Sequence, residues 1–221
     1  MSKEKAIVLL SSGLDSTVNF YESLKVYDIS LALTFNYGQK AFEKEKEKSK
    51  AICEMHQVEH KVIDLPWLSD VSTSSSLTNS SKEIPTDSVD INSLKSSQES
   101  AKSVWVSNRN GLFINVAACF AEQLEAQYII VGFNKEEAQT FPDNSSDFIT
   151  SINSSLQYST QNKVKVKSFT IDMDKKEIVL RGQELGVDYN LIWPCYFNGE
   201  ELCGNCESCK RYLNALEQVS N

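Results

Sequence analysis

The chain has 221 residues, 30 Asp plus Glu against 22 Lys plus Arg, a formal net charge of −8, and six cysteines beside two histidines. That length fits one domain with a small appended module, and 41% hydrophobic with 24% charged residues is the balance of an ordinary globular protein. A pI of 4.9 excludes the chain-wide positive field with which proteins grip nucleic-acid phosphates, and leaves a small molecule as the better starting substrate.

The first apolar stretch, residues 6–10, is too short for a signal-peptide core, and no apolar run approaches the roughly 20 residues of a membrane span. A cytoplasmic chain is the expectation. Ala6-Ile7-Val8-Leu9-Leu10 is a continuous apolar run, as a strand buried on both faces of a parallel sheet requires. A helix is expected over residues 16–26 and a second strand over 31–35. A charge-dense helix over 40–55 follows, its Lys/Glu alternation marking a solvated face, and then a third strand over 61–64. This alternation predicts an α/β sheet with right-handed crossovers. Between residues 69 and 103 serine fills more than a third of positions and apolar periodicity is weak, which reads as a long loop of the kind used for lids, binding loops or disorder. Helix resumes over 110–124, with a strand over 128–132, a helix over 146–158, a strand over 164–169 and a helix over 175–185. Asp174 and Glu177 supply a capping box for the last of these.

Cys195, Cys203, Cys206 and Cys209 place four thiols within 15 residues, the last three spaced C-x-x-C-x-x-C. Tetrahedral zinc needs four soft ligands about 2.3 Å away, and x-x spacings let one turn present two or three sulfurs to one point. Gly199 and Gly204 supply the backbone freedom. Iron–sulfur ligation shares the local spacing, and a disulfide framework conflicts with a cytoplasmic chain. Zinc in a closed four-sulfur shell, stabilising the fold and taking no part in chemistry, is the favoured reading. Cys53, His56 and His60 fall at i, i+3 and i+7, but His60 belongs with the next strand. Cys53 and Cys119 read as core residues, and two histidines are a poor basis for a nucleophilic triad.

Leu10-Ser11-Ser12-Gly13-Leu14-Asp15-Ser16-Thr17 lies between the first strand and the first helix. Small residues let backbone N–H groups converge, the hydroxyls of Ser11, Ser12, Ser16 and Thr17 add donors, and the helix N-terminus adds its positive dipole end. The segment reads as an anion cradle. Without a lysine it is not the nucleoside-triphosphate loop ending Gly-Lys-Ser/Thr. A plain serine-rich helix cap is the alternative.

Ser11-Ser12-Gly13-Leu14-Asp15-Ser16 resembles the Ser-Gly-Gly-x-Asp-Ser loop of the N-type ATP pyrophosphatases, which adenylate a carbonyl or carboxyl oxygen and release pyrophosphate. Further segments narrow the likeness: Phe35-Asn36-Tyr37-Gly38-Gln39, Val106-Ser107-Asn108-Arg109-Asn110-Gly111-Leu112-Phe113, Val131-Gly132-Phe133-Asn134, Phe141-Pro142-Asp143, Lys175-Lys176-Glu177-Ile178, Glu184-Leu185-Gly186-Val187 and Trp193-Pro194-Cys195-Tyr196. In that order, and with the four-cysteine tail, they are similar to the 7-cyano-7-deazaguanine synthase family over almost the whole chain. The resemblance implies a Rossmann-like α/β fold of the adenine nucleotide α-hydrolase type, with a parallel sheet and helices on both faces. It implies a PP-loop ATP pyrophosphatase domain over 1–190, with 69–103 as a loop or lid, and a zinc-binding segment and helix over 191–221. The implied activity is an ATP-dependent carbon–nitrogen ligase of queuosine biosynthesis. It would convert 7-carboxy-7-deazaguanine and ammonia to the nitrile through adenylate and amide, using ATP with Mg2+, usually as a homodimer away from membranes.

Carried over by position, Leu10, Ser11, Ser12, Gly13, Leu14, Asp15, Ser16, Thr17, Val18, Asn19 and Phe20 would hold the ATP phosphates. Asp15 and Ser16 would act at the reacting centre, Asp15 beside magnesium or the α-phosphate. Arg109 and Lys175 would neutralise charge that builds as pyrophosphate leaves. Tyr37, Gln39, Asn110, Asn134 and Asp143 would contact the deazaguanine, and Cys195, Cys203, Cys206 and Cys209 would hold zinc. Outside this reading Arg109 is a surface salt bridge, Lys175 a solvated first-turn residue and Asp143 a helix cap. The chain departs from the family at Ser12 (glycine expected), Lys40-Ala41 (Arg-His expected), Asn144-Ser145 (Cys-Arg expected) and Glu136-Glu137-Ala138-Gln139 (an Asp-Tyr-Ser-like stretch expected). Two alternatives stay open: a divergent relative that stops at an amide, joining the acyl group to another amine or a protein as in phage-defence clusters, and a non-catalytic nucleotide-binding module. A zinc ribbon that binds RNA is a third, and the acidic composition weighs against it.

Overall fold

A computed structural model describes residues 3–86 and 89–220; Met1, Ser2 and Asn221 at the ends, and Asp87 and Ser88 within the serine-rich stretch, lie outside the described residues. The chain runs β1 (Lys5–Leu9), α1 (Leu14–Val26), β2 (Asp28–Asn36), α2 (Phe42–Met55), β3 (His60–Asp64), α3 (Trp67–Val71), α4 (Leu94–Val104), α5 (Arg109–Gln123), β4 (Tyr128–Ile130), α6 (Ser146–Ser159), β5 (Lys165–Lys167), α7 (Lys175–Leu185) and α8 (Glu207–Ser220). Short 3-10 turns lie at Glu137–Gln139, Pro142–Asn144 and Tyr189–Leu191.

Alternating apolar residues explain the layers. The strands form one sheet in the order β3-β2-β1-β4-β5, every pairing parallel. Ile7, Leu33, Phe35, Ile129 and Val166 join one core with α5 and α6, while Ala6, Val8, Ala32 and Ile130 join the other with α1, α2, α7 and α8. Ala6, Ile7 and Val8 have no exposed surface, as expected of a central strand covered on both sides. The fold is the Rossmann-like α/β sheet with helices on both faces. Because α1 and α2 cover one face and α5 the other, winding reverses between β1 and β4, and open α/β sheets bind ligands at the carboxyl ends of the strands at such a reversal. No helix among the described residues is long and apolar enough to cross a membrane.

Two expectations are corrected. Residues 69–103 are not one long loop, because they include the end of α3 and most of α4. Ser97, Ser100, Ala101 and Val104 form the buried stripe of α4 at i, i+3, i+4 and i+7, a helical period written in small residues, and Ser93 caps the helix by accepting from Ser96 N–H. Cys119 is exposed, not core, because α5 buries Ile114, Ala117, Ala118 and Ala121 and turns Cys119 outward. Elsewhere His60 opens β3 and its Nε2 lies 2.8 Å from the Thr34 hydroxyl, while His56 packs against the Phe20 and Tyr21 rings. The capping box of α7 is formed: Asp174 accepts from Glu177 N–H and Glu177 accepts from Asp174 N–H, both at 2.8 Å.

Asn19 ties the start of α1 to the segment after β5. Buried, it donates Nδ2 to the Asp15 carbonyl (2.8 Å) and to the Thr170 hydroxyl (2.7 Å), and its Oδ1 accepts from Phe169 N–H (2.7 Å). Replacing it with leucine leaves buried partners unsatisfied. Asn19→Leu is expected to lower the unfolding free energy by about 2–4 kcal/mol in a denaturant titration with circular dichroism; a change below about 0.5 kcal/mol would refute the strap.

Candidate active site and metal centre

The loop after β1 is shaped by backbone constraint. Leu10 N–H still donates to the Leu33 carbonyl (2.9 Å), continuing the ladder, and Ser12 then turns left-handed at φ 59°. That conformation favours glycine, which is the physical reason the resembling loop has one there. Ser12 is accommodated with its hydroxyl donating to the Ser11 carbonyl (2.6 Å) and its own carbonyl accepting from Trp193 N–H (2.8 Å). Its side chain does not line the cavity. Gly13 caps α1 without a side-chain acceptor, so the first-turn N–H groups keep their positive end for an anion. Gly132, just after β4, lets this turn sit against the sheet, since a Cβ there would stand 2.6 Å from Ser16 N.

At the end of the loop lies a buried ionic cluster. The capping box places Lys175 as the first residue of α7, where its Nζ meets Asp15 Oδ2 (2.5 Å) and Glu137 Oε1 (2.8 Å), and its backbone N–H donates to Glu136 Oε1 (2.8 Å). Burial raises the Asp15 carboxyl to about 6 against the opposing pull of Lys175. Burial also opposes ionisation of Glu137, but the Lys175 ammonium outweighs it and holds that carboxyl below its ordinary range. Desolvation disfavours the Lys175 charge, yet its two carboxylates keep it above its ordinary value. Asp15 Oδ1 is buried without a hydrogen-bond partner among the described residues. Arg211 on α8 extends the cluster, pairing with Glu136 (3.2 Å) and Glu207 (2.9 Å) and donating to Ser97 Oγ (2.9 Å) on α4.

A cavity of about 260 Å³ opens from the loop and the cluster across the sheet edge. Leu10, Ser11, Gly13, Leu14, Asp15 and Ser16 line it, as do Tyr37, Gln39, Arg109, Asn110 and Lys175. Thr17, Val18, Asn19 and Phe20 instead point into the packed interior with no exposed surface. Asn134 also lies outside the lining, its Oδ1 accepting from Glu137 N–H (2.9 Å) and fixing the Glu137–Gln139 turn. Asp143 presents its backbone carbonyl to Asn110 Nδ2 (3.4 Å), Asn144 takes the lining position, and the cap of α6 is Ser145, not Asp143. Arg109 Nη1 donates to the Tyr37 hydroxyl (3.3 Å), and no carboxylate of the described residues pairs with it. Lys175 is a buried, doubly paired group, not a solvated one.

Sequence reasoning missed Glu45, Glu207 and Arg211 and met Glu136 and Glu137 only as a departure from the family pattern; all five line the cavity. For Glu45 a signal existed: Ala41, Ser49 and Ile52 are buried, and Glu45 lies on that stripe of α2 amid the Lys/Glu alternation taken for a solvated face. Glu207 and Arg211 pair at i, i+4 within α8, a local spacing, whereas Glu136 and Glu137 meet their cationic partners Arg211 and Lys175 from distant segments.

The four tail cysteines converge. Their sulfurs all lie within 4.8 Å of one another, and among the described residues this is the group arranged to hold a metal ion. Cys206 N–H points at Cys203 Sγ (3.3 Å) and Phe197 N–H at Cys195 Sγ (3.4 Å), donors that favour thiolate. Cys195, Cys206 and Cys209 are buried in the same core as α5.

Residues 5–220 match the family model described as queuosine biosynthesis protein QueC. Proteins named 7-cyano-7-deazaguanine synthase are similar throughout: that of Bdellovibrio bacteriovorus is 53% identical over 98% of this chain and 94% of its own. That of Carboxydothermus hydrogenoformans is 52% identical over 96% of this chain and 98% of its own, and that of Methanosarcina barkeri 47% over 97% and 94%. Among solved structures, a 4-thiouridine synthetase in complex with RNA and bound ATP superposes with a TM-score of 0.54 at 21% identity, over 98% of this chain and 50% of that one. NMN synthetase from Francisella tularensis gives 0.50 at 15%, over 99% of this chain and 77% of that one. At such identities these two share the fold. The near full-length match at both levels, on a chain with this loop and this cysteine cluster, makes the protein a member of the QueC family.

Proposed function

We propose that the chain is an ATP-dependent carbon–nitrogen ligase that converts 7-carboxy-7-deazaguanine and ammonia to 7-cyano-7-deazaguanine, consuming ATP to AMP and pyrophosphate. The observation that carries the reading is the pairing of Asp15 with Lys175, 160 residues apart, at the uncapped start of α1 inside the main cavity. A carboxylate is a poor electrophile because its oxide is a very poor leaving group. Adenylation replaces that oxide with AMP, ammonia adds to give the amide, and a second activation of the amide oxygen lets AMP depart again and leaves the nitrile. Such chemistry needs positioning and charge stabilisation more than a protein nucleophile.

The residues fit these needs. Ser11, Ser16 and the first turn of α1 line the cavity where the phosphates would lie, and Arg109, without a carboxylate partner, is available to the anionic substrate or the departing pyrophosphate. Magnesium suits the cluster, since one ammonium against two carboxylates leaves a negative charge and Asp15 Oδ1 is an unpartnered hard oxygen. When bound, it would neutralise charge on the phosphates. Four thiols fit zinc, because sulfurs about 2.3 Å from one ion lie about 3.8 Å apart, in keeping with Cys203 and Cys209 at 3.9 Å, whereas an iron–sulfur cluster spaces its cysteines more widely. Family likeness adds a homodimer and a role in queuosine biosynthesis.

Mass spectrometry of the protein incubated with magnesium-ATP, 7-carboxy-7-deazaguanine and ammonium is expected to show the nitrile with AMP. Accumulation of the amide without nitrile would establish the divergent alternative instead. Asp15→Ala is expected to cut turnover at least about a thousandfold in a folded protein; retained turnover would mean the loop is misread. Cys206→Ser is expected to lower zinc content and melting temperature together, because four-ligand binding, on the order of 10 kcal/mol in model systems, is coupled to folding. An unchanged melting temperature would contradict a structural zinc.

A further inference from the structure

Gln39 and Glu45 face the cavity side by side, but only Glu45 has a polar atom without a partner among the described residues. The Gln39 amide spends both N–H donors on the protein, one on the Phe35 carbonyl and one on Glu45 Oε2, each at 2.8 Å, and its Oε1 accepts from Tyr37 N–H at 2.9 Å. Both donors are spent, and each polar atom of the amide has a partner. Glu45 receives that single hydrogen bond, makes no ion pair among the described residues, and keeps Oε1 without a partner there. It lines the cavity together with Phe35, Leu77, Val104 and Phe113. Burial pushes its carboxyl up to about 7 against the opposing Gln39 hydrogen bond and Arg109 charge, so a donor brought into the cavity would stabilise the ionised form.

We propose that Glu45, oriented by Gln39, is the specificity-determining residue for the base: its carboxylate accepts from the ring N1–H and the 2-amino group of the 7-deazaguanine. The assignment rests on the deazaguanine substrate of the proposed function and adds the group that reads it. An ionised carboxylate is an acceptor only, and the guanine-type edge offers it two adjacent donors. The adenine of ATP offers its 6-amino group beside the N1 lone pair, which would face the carboxylate unfavourably. Glu45 therefore separates the two bases that must share this cavity. The 2-amino group and the C7 carboxylate lie across the fused ring from each other, so a base seated on Glu45 by its N1–H and 2-amino edge presents its reacting group along a different edge.

Calorimetric titration of wild type and Glu45→Gln with 7-deazaguanine and 7-deazahypoxanthine, which lacks the 2-amino group, tests the assignment without turnover. Wild type is expected to prefer 7-deazaguanine by at least about tenfold, and the variant to bind it about ten- to a hundredfold more weakly, narrowing the preference to about threefold or less, with ATP affinity unchanged. Gln39→Met, which frees Glu45 from its support, is expected to give a smaller loss in the same direction. A preference equal in wild type and Glu45→Gln, weakened ATP binding in its place, or binding of neither base by wild type would overturn it. Pyrophosphate release by wild type with 7-carboxy-7-deazaguanine decides the activity separately, so failure of one reading is distinguishable from failure of the other.

Discussion

An ammonium group buried between two carboxylates, Lys175 between Asp15 and Glu137, is the constraint around which the site is arranged. Removing such charges from water is costly, and deleting one partner from a buried pair typically costs about 3–5 kcal/mol because the other is left uncompensated. The fold therefore has to bring three distant segments to one point. The Asp174 and Glu177 capping box fixes where α7 begins, the Asn19 bonds hold α1 against the segment after β5, and Asn134 sets the turn that carries Glu137. The same cluster closes the cavity at the loop, where the helix dipole attracts an anion and the residual negative charge attracts a cation.

The cysteine tail is part of this arrangement and not an appendage. Cys206 and Cys209 lie at the start of α8, and the following two residues reach outward from it: Lys210 donates to the Thr86 and Val89 carbonyls, and Arg211 joins Glu136 to Glu207 and Ser97. A metal held by the four sulfurs would fix the first turn of α8 and with it the Arg211 bridge, which bears on Glu136 and through it on the Lys175 backbone. The serine-rich stretch is held from the same helix, and its Leu77, with Val104 at the end of α4, forms part of the cavity wall.

What could be read beforehand follows a physical boundary. Signals carried by consecutive residues were legible: the apolar run of β1, the capping box of α7, the cysteine spacing, and the small-residue loop before α1. Helix α4 was missed because its buried stripe is Ser97, Ser100, Ala101 and Val104, which a search for large apolar residues cannot see. Cys119 was misplaced because a uniformly apolar helix does not reveal its register. The Glu45 position followed the α2 period but was hidden by neighbouring charges, and Glu136 and Glu137 owe their place to Arg211 and Lys175, partners that only tertiary structure supplies, while Glu207 and Arg211 pair at i, i+4 within α8.

An acyl adenylate formed at the junction of Asp15 and Lys175 is the step on which the proposed reaction turns. Exchange of labelled pyrophosphate into ATP measures that step directly and does not depend on ammonia or on which product follows. Exchange is expected to require 7-carboxy-7-deazaguanine and to disappear in Lys175→Met. Exchange that proceeds without the carboxylate, or that Lys175→Met leaves intact, would contradict it.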